Sequence, residues 1–213
     1  MDGRLARGSQ TRRAILRRAA DIASVEGLEG LTIGRLAGEL SLSKSSVFAH
    51  FGSKEDLQLA AIGFAEEVFR ELIIQPTLEL PPGMPRILAL AEHWLAYSRK
   101  RVFPGGCFFA GVIAEFDARE GRVHDAVRHG RKHWLALLAR IVREAVDLGH
   151  LPPGTDPEQI AFEVDALARA ANDEAVLTGT EVAYERAITG IRVRLGVDQG
   201  VRVAAQSPPT NEE

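Results

Sequence analysis

The 213-residue chain is 46% hydrophobic and 26% charged, ordinary values for a globular protein that buries a core without covalent staples. Its net charge of -3 gives no overall sign of a nucleic-acid or membrane partner, and its one cysteine, Cys107, excludes an intrachain disulfide framework and a multi-cysteine zinc site. The average conceals a split: residues 1–20 hold six arginines (Arg4, Arg7, Arg12, Arg13, Arg17, Arg18) against Asp2, a local +5, so the rest sums to -8.

Helical periodicity runs through almost every segment, so the expected fold class is all-α, with about nine helices. Ile15, Ala19, Ile22 and Ala23 recur on one face of a first helix over about 9–26, the arginines take the opposite face, and Gly27 is placed to cap it. A short second helix begins after Thr32, with Ile33, Leu36, Ala37 and Leu40 apolar, and ends in a turn at Ser41-Leu42-Ser43. A third covers about 44–50. Ser53-Lys54-Glu55-Asp56 has capping-box spacing and opens a long fourth helix to about residue 74, closed by Pro76 and Leu80-Pro81-Pro82-Gly83.

Five further helices are expected at about 84–101, 106–119, 122–148, 157–178 and 181–195. Asp156-Pro157-Glu158-Gln159 supplies a cap Asp and a first-turn Pro to one of them. Residues 197–213 lack sustained periodicity and are expected to stay disordered. The expected division is 1–58, 59–196 and that tail. The basic start is followed by no apolar stretch of the signal-peptide kind, and the longest small and apolar run, 107–114, falls far short of the roughly 18–20 residues that span a membrane. With the lone cysteine, this reads as a cytoplasmic protein with no membrane partner.

Residues 32–51 form two short helices around a tight turn, a helix-turn-helix. The second must present a small, polar and basic face to a major groove about 12 Å wide. Ser43, Lys44, Ser45, Ser46, Ala49 and His50 meet that requirement, and residues 41–54 contain no acid. Thr32, Lys54 at a helix N-terminus and the N-terminal arginines, Arg12 among them, are candidate phosphate contacts. Alternatives stay open for three of these features. The arginines could be a solvated face, Phe48 could be core, and His50 could pack locally.

The run from Thr11-Arg12-Arg13-Ala14-Ile15-Leu16 through Gly27, Leu31-Thr32-Ile33, Leu36-Ala37 and Leu42-Ser43-Lys44-Ser45-Ser46-Val47-Phe48-Ala49-His50-Phe51-Gly52-Ser53-Lys54 resembles the N-terminal domain of the TetR family of transcriptional regulators. The resemblance covers about residues 10–58. It implies a homodimer on palindromic double-stranded operator DNA, released by a small-molecule effector bound in a divergent C-terminal domain. By position, Thr32, Lys44, Ser45, Ser46, Phe48, His50 and Lys54 fall on the DNA-facing pattern. Two departures stand out: the family usually has Tyr where Phe48 stands, and Gly, Pro or Ala where Ser45 stands.

Residues 61–213 hold 17 basic and 22 acidic residues, which suits a task other than DNA contact. Nine of the thirteen aromatics lie between Phe64 and Trp134, either as core or as the wall of an apolar cavity with a few orienting polar groups. Candidate liners are Phe64, His93, Trp94, Tyr97, Phe109, Val112, Phe116, Trp134, Leu138, Asp165 and Asn172. His129 and His133 share a helix face, but no carboxylate partner accompanies them, so a solvated or dimer-face pair is expected rather than a metal site. Cys107 is expected to be an inert thiol rather than a redox switch, and no cofactor is implied. Val164, Leu167, Ala168, Ala171 and Ala175, with Ala183, Ala187, Ile188, Ile191 and Leu195, read as a dimer-forming pair of helices or as cover for their own core. An all-α carrier or enzyme with an incidental basic start is the competing reading, although no nucleophile–base pair or phosphate loop supports an enzyme.

Overall fold

A computed structural model describes residues 2–197, with side chains of the first helix from Gly8 onward. Nine helices account for most of the described residues. Helix α1 spans Asp2–Glu26, and Gly27, at φ 79°, closes it with its N–H on the Ala23 carbonyl at 3.0 Å. A single 3-10 turn, Leu28–Gly30, leads to α2 (Ile33–Glu39), where the Thr32 hydroxyl accepts the Arg35 N–H at 3.1 Å. Ser43 does the same for α3 (Lys44–Phe51) through Ser46, and Ser53 for the next helix through Asp56. Such caps contribute about 1 kcal/mol each. The capping box at Ser53 is altered: the Ser53 N–H bonds the Phe51 carbonyl at 2.9 Å, and the Asp56 carboxylate accepts the Ser53 hydroxyl instead at 2.7 Å.

The fourth helix runs further than its prolines suggest. Lys54–Phe69 is α-helical, Arg70–Ile74 is a π turn, and Gln75–Leu78 adds a last α turn; together they form α4. Pro76 therefore lies inside the helix rather than ending it. The wider π turn just before it accommodates a ring that would otherwise clash with the carbonyl four residues back. Helices α5 (Met84–Arg99), α6 (Phe108–Phe116), α7 (Arg122–Asp147), α8 (Pro157–Thr178) and α9 (Val182–Arg194) follow, and Asp156 caps α8 as its spacing predicts. The chain beyond α9 is described as far as Val197, whose N–H bonds Arg192 O at 2.9 Å. The disorder expected from there on otherwise concerns residues outside the described ones. The only β pairing among the described residues is an isolated bridge, Phe103 to Gly106.

Helix α5 is the axis of the larger unit. It buries Ile87, Leu90, Ala91, Trp94, Leu95, Tyr97 and Ser98, and α4, α7, α8 and α9 pack around it. A buried polar node fastens this arrangement. Asn172 Oδ1 on α8 accepts the Ser98 hydroxyl and the Cys107 N–H, both at 2.7 Å, and Ser98 Oγ lies 2.8 Å from the Tyr184 hydroxyl on α9. The small residues of α8 and α9 serve the same core. Val164, Ala168, Ala171, Ala175, Ala183, Ala187, Ile191 and Leu195 are buried within the single chain, and only Leu167 and Ile188 are partly accessible. Eight of the ten residues expected at a dimer interface are thus occupied in packing their own helices, and the apolar side chains left exposed there are Phe162, Val176, Leu177, Val182 and Val193.

Candidate nucleic-acid interface and ligand cavity

Helix α3 shows solvent the face its sequence suggests. Lys44, Ser45 and Ala49 are exposed, Phe48 is 55% exposed, and Val47 and Phe51 turn inward to the core. The Phe48 ring is therefore surface, not core. The Lys44 stem passes over Gly34, where an added Cβ would come within 3.3 Å of Lys44 Cε. Ser43 Oγ lies 3.0 Å from Ser45 Oγ while it caps the helix. Ser46 is half-buried, as is His50, whose ring is 6.0 Å from that of Phe51.

The basic residues around this face are mostly engaged by the protein. The Arg12 guanidinium stacks 4.7 Å over Phe51, Arg17 pairs with Asp21 at 3.1 Å, and Arg18 pairs with Glu39. Lys54 Nζ bonds the Glu29 carboxylate at 2.8 Å and the Glu29 carbonyl at 2.9 Å. That ammonium holds the Glu29 carboxyl below the usual carboxylate range. Arg4 and Arg7 precede the described side chains.

Several contacts join the helix-turn-helix unit to the rest, among them Arg17 Nη2 to Val102 O at 2.5 Å, Arg119 to Glu29 at 3.4 Å and Arg122 to Glu55 at 2.8 Å. Glu115, near the end of α6, accepts the Leu28 N–H at 2.7 Å and the Glu29 N–H at 2.9 Å, one on each carboxylate oxygen. Gly27 leaves room for it; a Cβ there would lie 2.6 Å from Glu115 Oε2. Gln58 Nε2 on α4 donates to Leu28 O at 2.9 Å. The Gly105 backbone lies against the end of α1, its N–H on Ser24 Oγ at 3.0 Å, and a Cβ at Gly105 would fall 1.8 Å from the Ser24 carbonyl oxygen.

A cavity of about 630 Å³ opens between α4, α5, α6, α7 and α8. Phe69 is its aromatic centre, edge-on to Trp94, Phe109 and Trp134 with centroids 5.1–6.3 Å away. Ile74, Ile113, Val127 and Leu137 extend the apolar surface. Polar groups enter from Glu66, Glu67 and Arg70 on α4, from His129, Arg131 and His133 on α7, and from Asp165 and Arg169 on α8. Desolvation raises the Glu66 pKa, opposed by the two imidazoles. Cys107 also borders the cavity; burial pushes its thiol up, against a hydrogen bond from Trp94, which disfavours the reactive thiolate.

Of the eleven residues expected to line a cavity, Trp94, Phe109, Trp134 and Asp165 meet here. The other seven lie elsewhere for identifiable reasons. Tyr97, Val112, Phe116 and Leu138 fill core, and Phe64 faces a separate groove beside Arg13. His93 Nδ1 is held 3.0 Å from Thr77 Oγ1, and Asn172 is spent on the node with Ser98 and Cys107. Sequence reasoning missed Arg70, Arg131 and Arg169. Their signal would have been basic residues at helical spacing from the aromatics. The His129–His133 pair, centroids 4.0 Å apart, is exposed and borders this cavity. Among the described residues no group of three His, Cys, Asp or Glu could hold a metal ion, and no helix is long and apolar enough to cross a membrane.

The comparisons with known proteins agree with this architecture. Residues 83–191 match the model of the tetracyclin repressor-like C-terminal domain, and residues 15–61 match that of the bacterial regulatory proteins of the tetR family. A TetR transcriptional regulator from Chloroflexus aurantiacus J-10-FL is 25% identical, over 90% of this chain and 96% of its own, with a TM-score of 0.83. SCO4454, a TetR-family transcriptional regulator from Streptomyces coelicolor, is 23% identical over 88% and 95%, with a TM-score of 0.75. The structure of AibR in complex with isovaleryl coenzyme A and operator DNA is 19% identical over 86% and 95%, with a TM-score of 0.67, and shares the fold. No curated protein matches the chain by sequence. A helix-turn-helix clamped onto a cavity-bearing helical body, with both parts matched by family models, makes this chain a member of the TetR family of transcriptional regulators.

Proposed function

We propose that the protein is a homodimeric repressor without catalytic chemistry of its own, released from a palindromic operator when a small effector fills the cavity between α4, α5, α6, α7 and α8. The observation that carries this reading is the direct connection of cavity to DNA-facing unit. Helix α4 contributes Leu57 to the helix-turn-helix core and Phe69, Arg70 and Ile74 to the cavity, while α6 lines the cavity with Phe109 and Ile113 and clamps the 28–30 turn through Glu115. A ligand that shifts either helix changes the separation of two α3 helices that must meet half-sites about 34–36 Å apart. Differential affinity of about 1–3 kcal/mol for the two arrangements changes DNA binding about 5- to 150-fold.

In this reading Lys44, Ser45 and Phe48 approach bases and the adjoining backbone, with Ser43, Ser46 and His50 beside them. Thr32, Lys54 and Arg12 lie along the phosphates or support the residues that do. Phe48 contributes van der Waals contact where a Tyr would add a phosphate hydrogen bond. The partner subunit docks on α8 and α9, through the exposed Phe162, Val176, Leu177, Val182 and Val193 rather than the buried small residues. A residue near 58 in α4 divides the two units. The test is a fluorescence-anisotropy titration of the DNA upstream of the protein's own gene at several salt concentrations. Affinity is expected to fall with a log-log slope of about -0.9 per phosphate neutralised; absent or salt-insensitive binding would reject the reading.

A further inference from the structure

Three guanidiniums and three carboxylates line the cavity, but they are unevenly placed: the α7–α8 end sets Arg131 and Arg169 against Asp165 alone. Asp165 has 1% of its side chain exposed, and it accepts from both Nη atoms of Arg131, from Trp134 Nε1 at 2.9 Å and from Arg169 Nε at 3.1 Å. A carboxylate offers about four lone-pair sites, so Asp165 is saturated and has no capacity left to serve a positively charged ligand. The guanidiniums are not saturated. Of about five N–H groups on each, Arg131 commits two to Asp165 and Arg169 one, and the pair brings two positive charges to one negative charge.

Arg131 and Arg169 are only 21% and 35% exposed, so water compensates their excess charge in part. Arg70 adds a third guanidinium from the π turn, with no ion-pair partner among the described residues. The remaining carboxylates of the cavity, Glu66 and Glu67, stand on α4 with Arg70, all three open to solvent, and Glu66 faces the His129 and His133 imidazoles while partial burial raises its pKa. Between these groups the wall is apolar. A volume of about 630 Å³ suits a drug-sized molecule rather than a bare inorganic anion.

Resting on the reading of this cavity as the effector site, we propose that its ligand is a hydrophobic organic monoanion: a carboxylate held by Arg169 and Arg131, with an apolar body against Phe69, Trp94 and Trp134. Guanidinium and carboxylate match through paired N–H···O bonds, which fix orientation as well as charge. At that end of the cavity a cation of the same shape would meet two guanidiniums and a carboxylate with no free acceptor, the other two carboxylates lying across the cavity on α4.

Both tryptophans of the chain border the cavity, so intrinsic fluorescence reports on its occupancy. The test titrates the full chain with 4-phenylbutyrate, 4-phenylbutanol and 4-phenylbutylamine, three probes of one body and different charge, followed by tryptophan emission and calorimetry. The acid is expected to perturb the tryptophans and to bind at least about ten-fold more tightly than the alcohol, with the amine weakest. Arg169→Gln, which leaves Asp165 its bonds from Arg131 and Trp134, is expected to abolish that preference. Arg70→Gln, at an exposed position in no ion pair among the described residues, is expected to weaken the acid and spare the alcohol. Binding of the alcohol or amine as tightly as the acid, with the tryptophans responding, overturns the anion assignment and leaves the cavity reading standing. Tryptophans silent to all three probes overturn both.

Discussion

Two lysines at the candidate DNA surface differ in what holds them, and so in what their loss should do. Lys44 is exposed on α3, its stem steered by Gly34, whereas Lys54 is tied to Glu29 at the start of α4. Lys44→Ala is expected to relax base preference or weaken binding, and Lys54→Ala to weaken all sequences alike and reduce the salt slope by about 1. Anisotropy titrations against the upstream DNA and a scrambled duplex check both; two variants indistinguishable from the parent would remove these residues from the interface. The caps at Ser53 and Asp156 were legible in the sequence because each depends on residues two or three apart. The engagement of Lys54 was not, because Glu29 is 25 residues away and no local pattern announces it.

At the scale of elements, α6 has two jobs on opposite sides: cavity wall at Phe109 and Ile113, and clamp at Glu115. Charge-assisted hydrogen bonds contribute about 1.5–3 kcal/mol each, and partial exposure here favours the lower end. Glu115→Gln keeps one acceptor and loses the other. It is expected to speed hydrogen exchange at the Leu28 and Glu29 amides and to lower the thermal midpoint by a few degrees, about 2–4 °C per kcal/mol. Unchanged exchange at both amides would show that the clamp does not hold the turn. Helix positions followed from period and punctuation, α8 to the residue, while the extension of α4 did not, because a π turn leaves no mark in apolar spacing and Pro76 argued for a stop. The cavity was half legible for a related reason: a helical wheel finds the inward face but cannot separate residues filling a core from those facing a void.

For the whole molecule, the small residues of α8 and α9 illustrate the same limit. Alternation every three to four residues is identical whether a helix packs against its own chain or a copy. The chain uses that stripe internally and leaves Leu177 84% exposed. Leu177→Asp is therefore expected to shift a dimer toward monomer in sedimentation, with little change in the stability of the separate subunit; an unaltered dimer would move the interface elsewhere. The net charge of -3 belongs to this scale too. It averages an arginine-rich first helix, much of it engaged in holding α1 to its neighbours, with an acidic body.

The node at Asn172 has a consequence for how the chain reaches this state. Ser98 lies 74 residues from Asn172 and 86 from Tyr184, and Cys107 lies 65 from Asn172. No fragment holding only adjacent helices can close it, so its bonds form after α5, α6, α8 and α9 have all docked. The Cys107 amide should therefore be among the last protons gained by protection during refolding, and among the slowest to exchange in the native protein, released only through global opening.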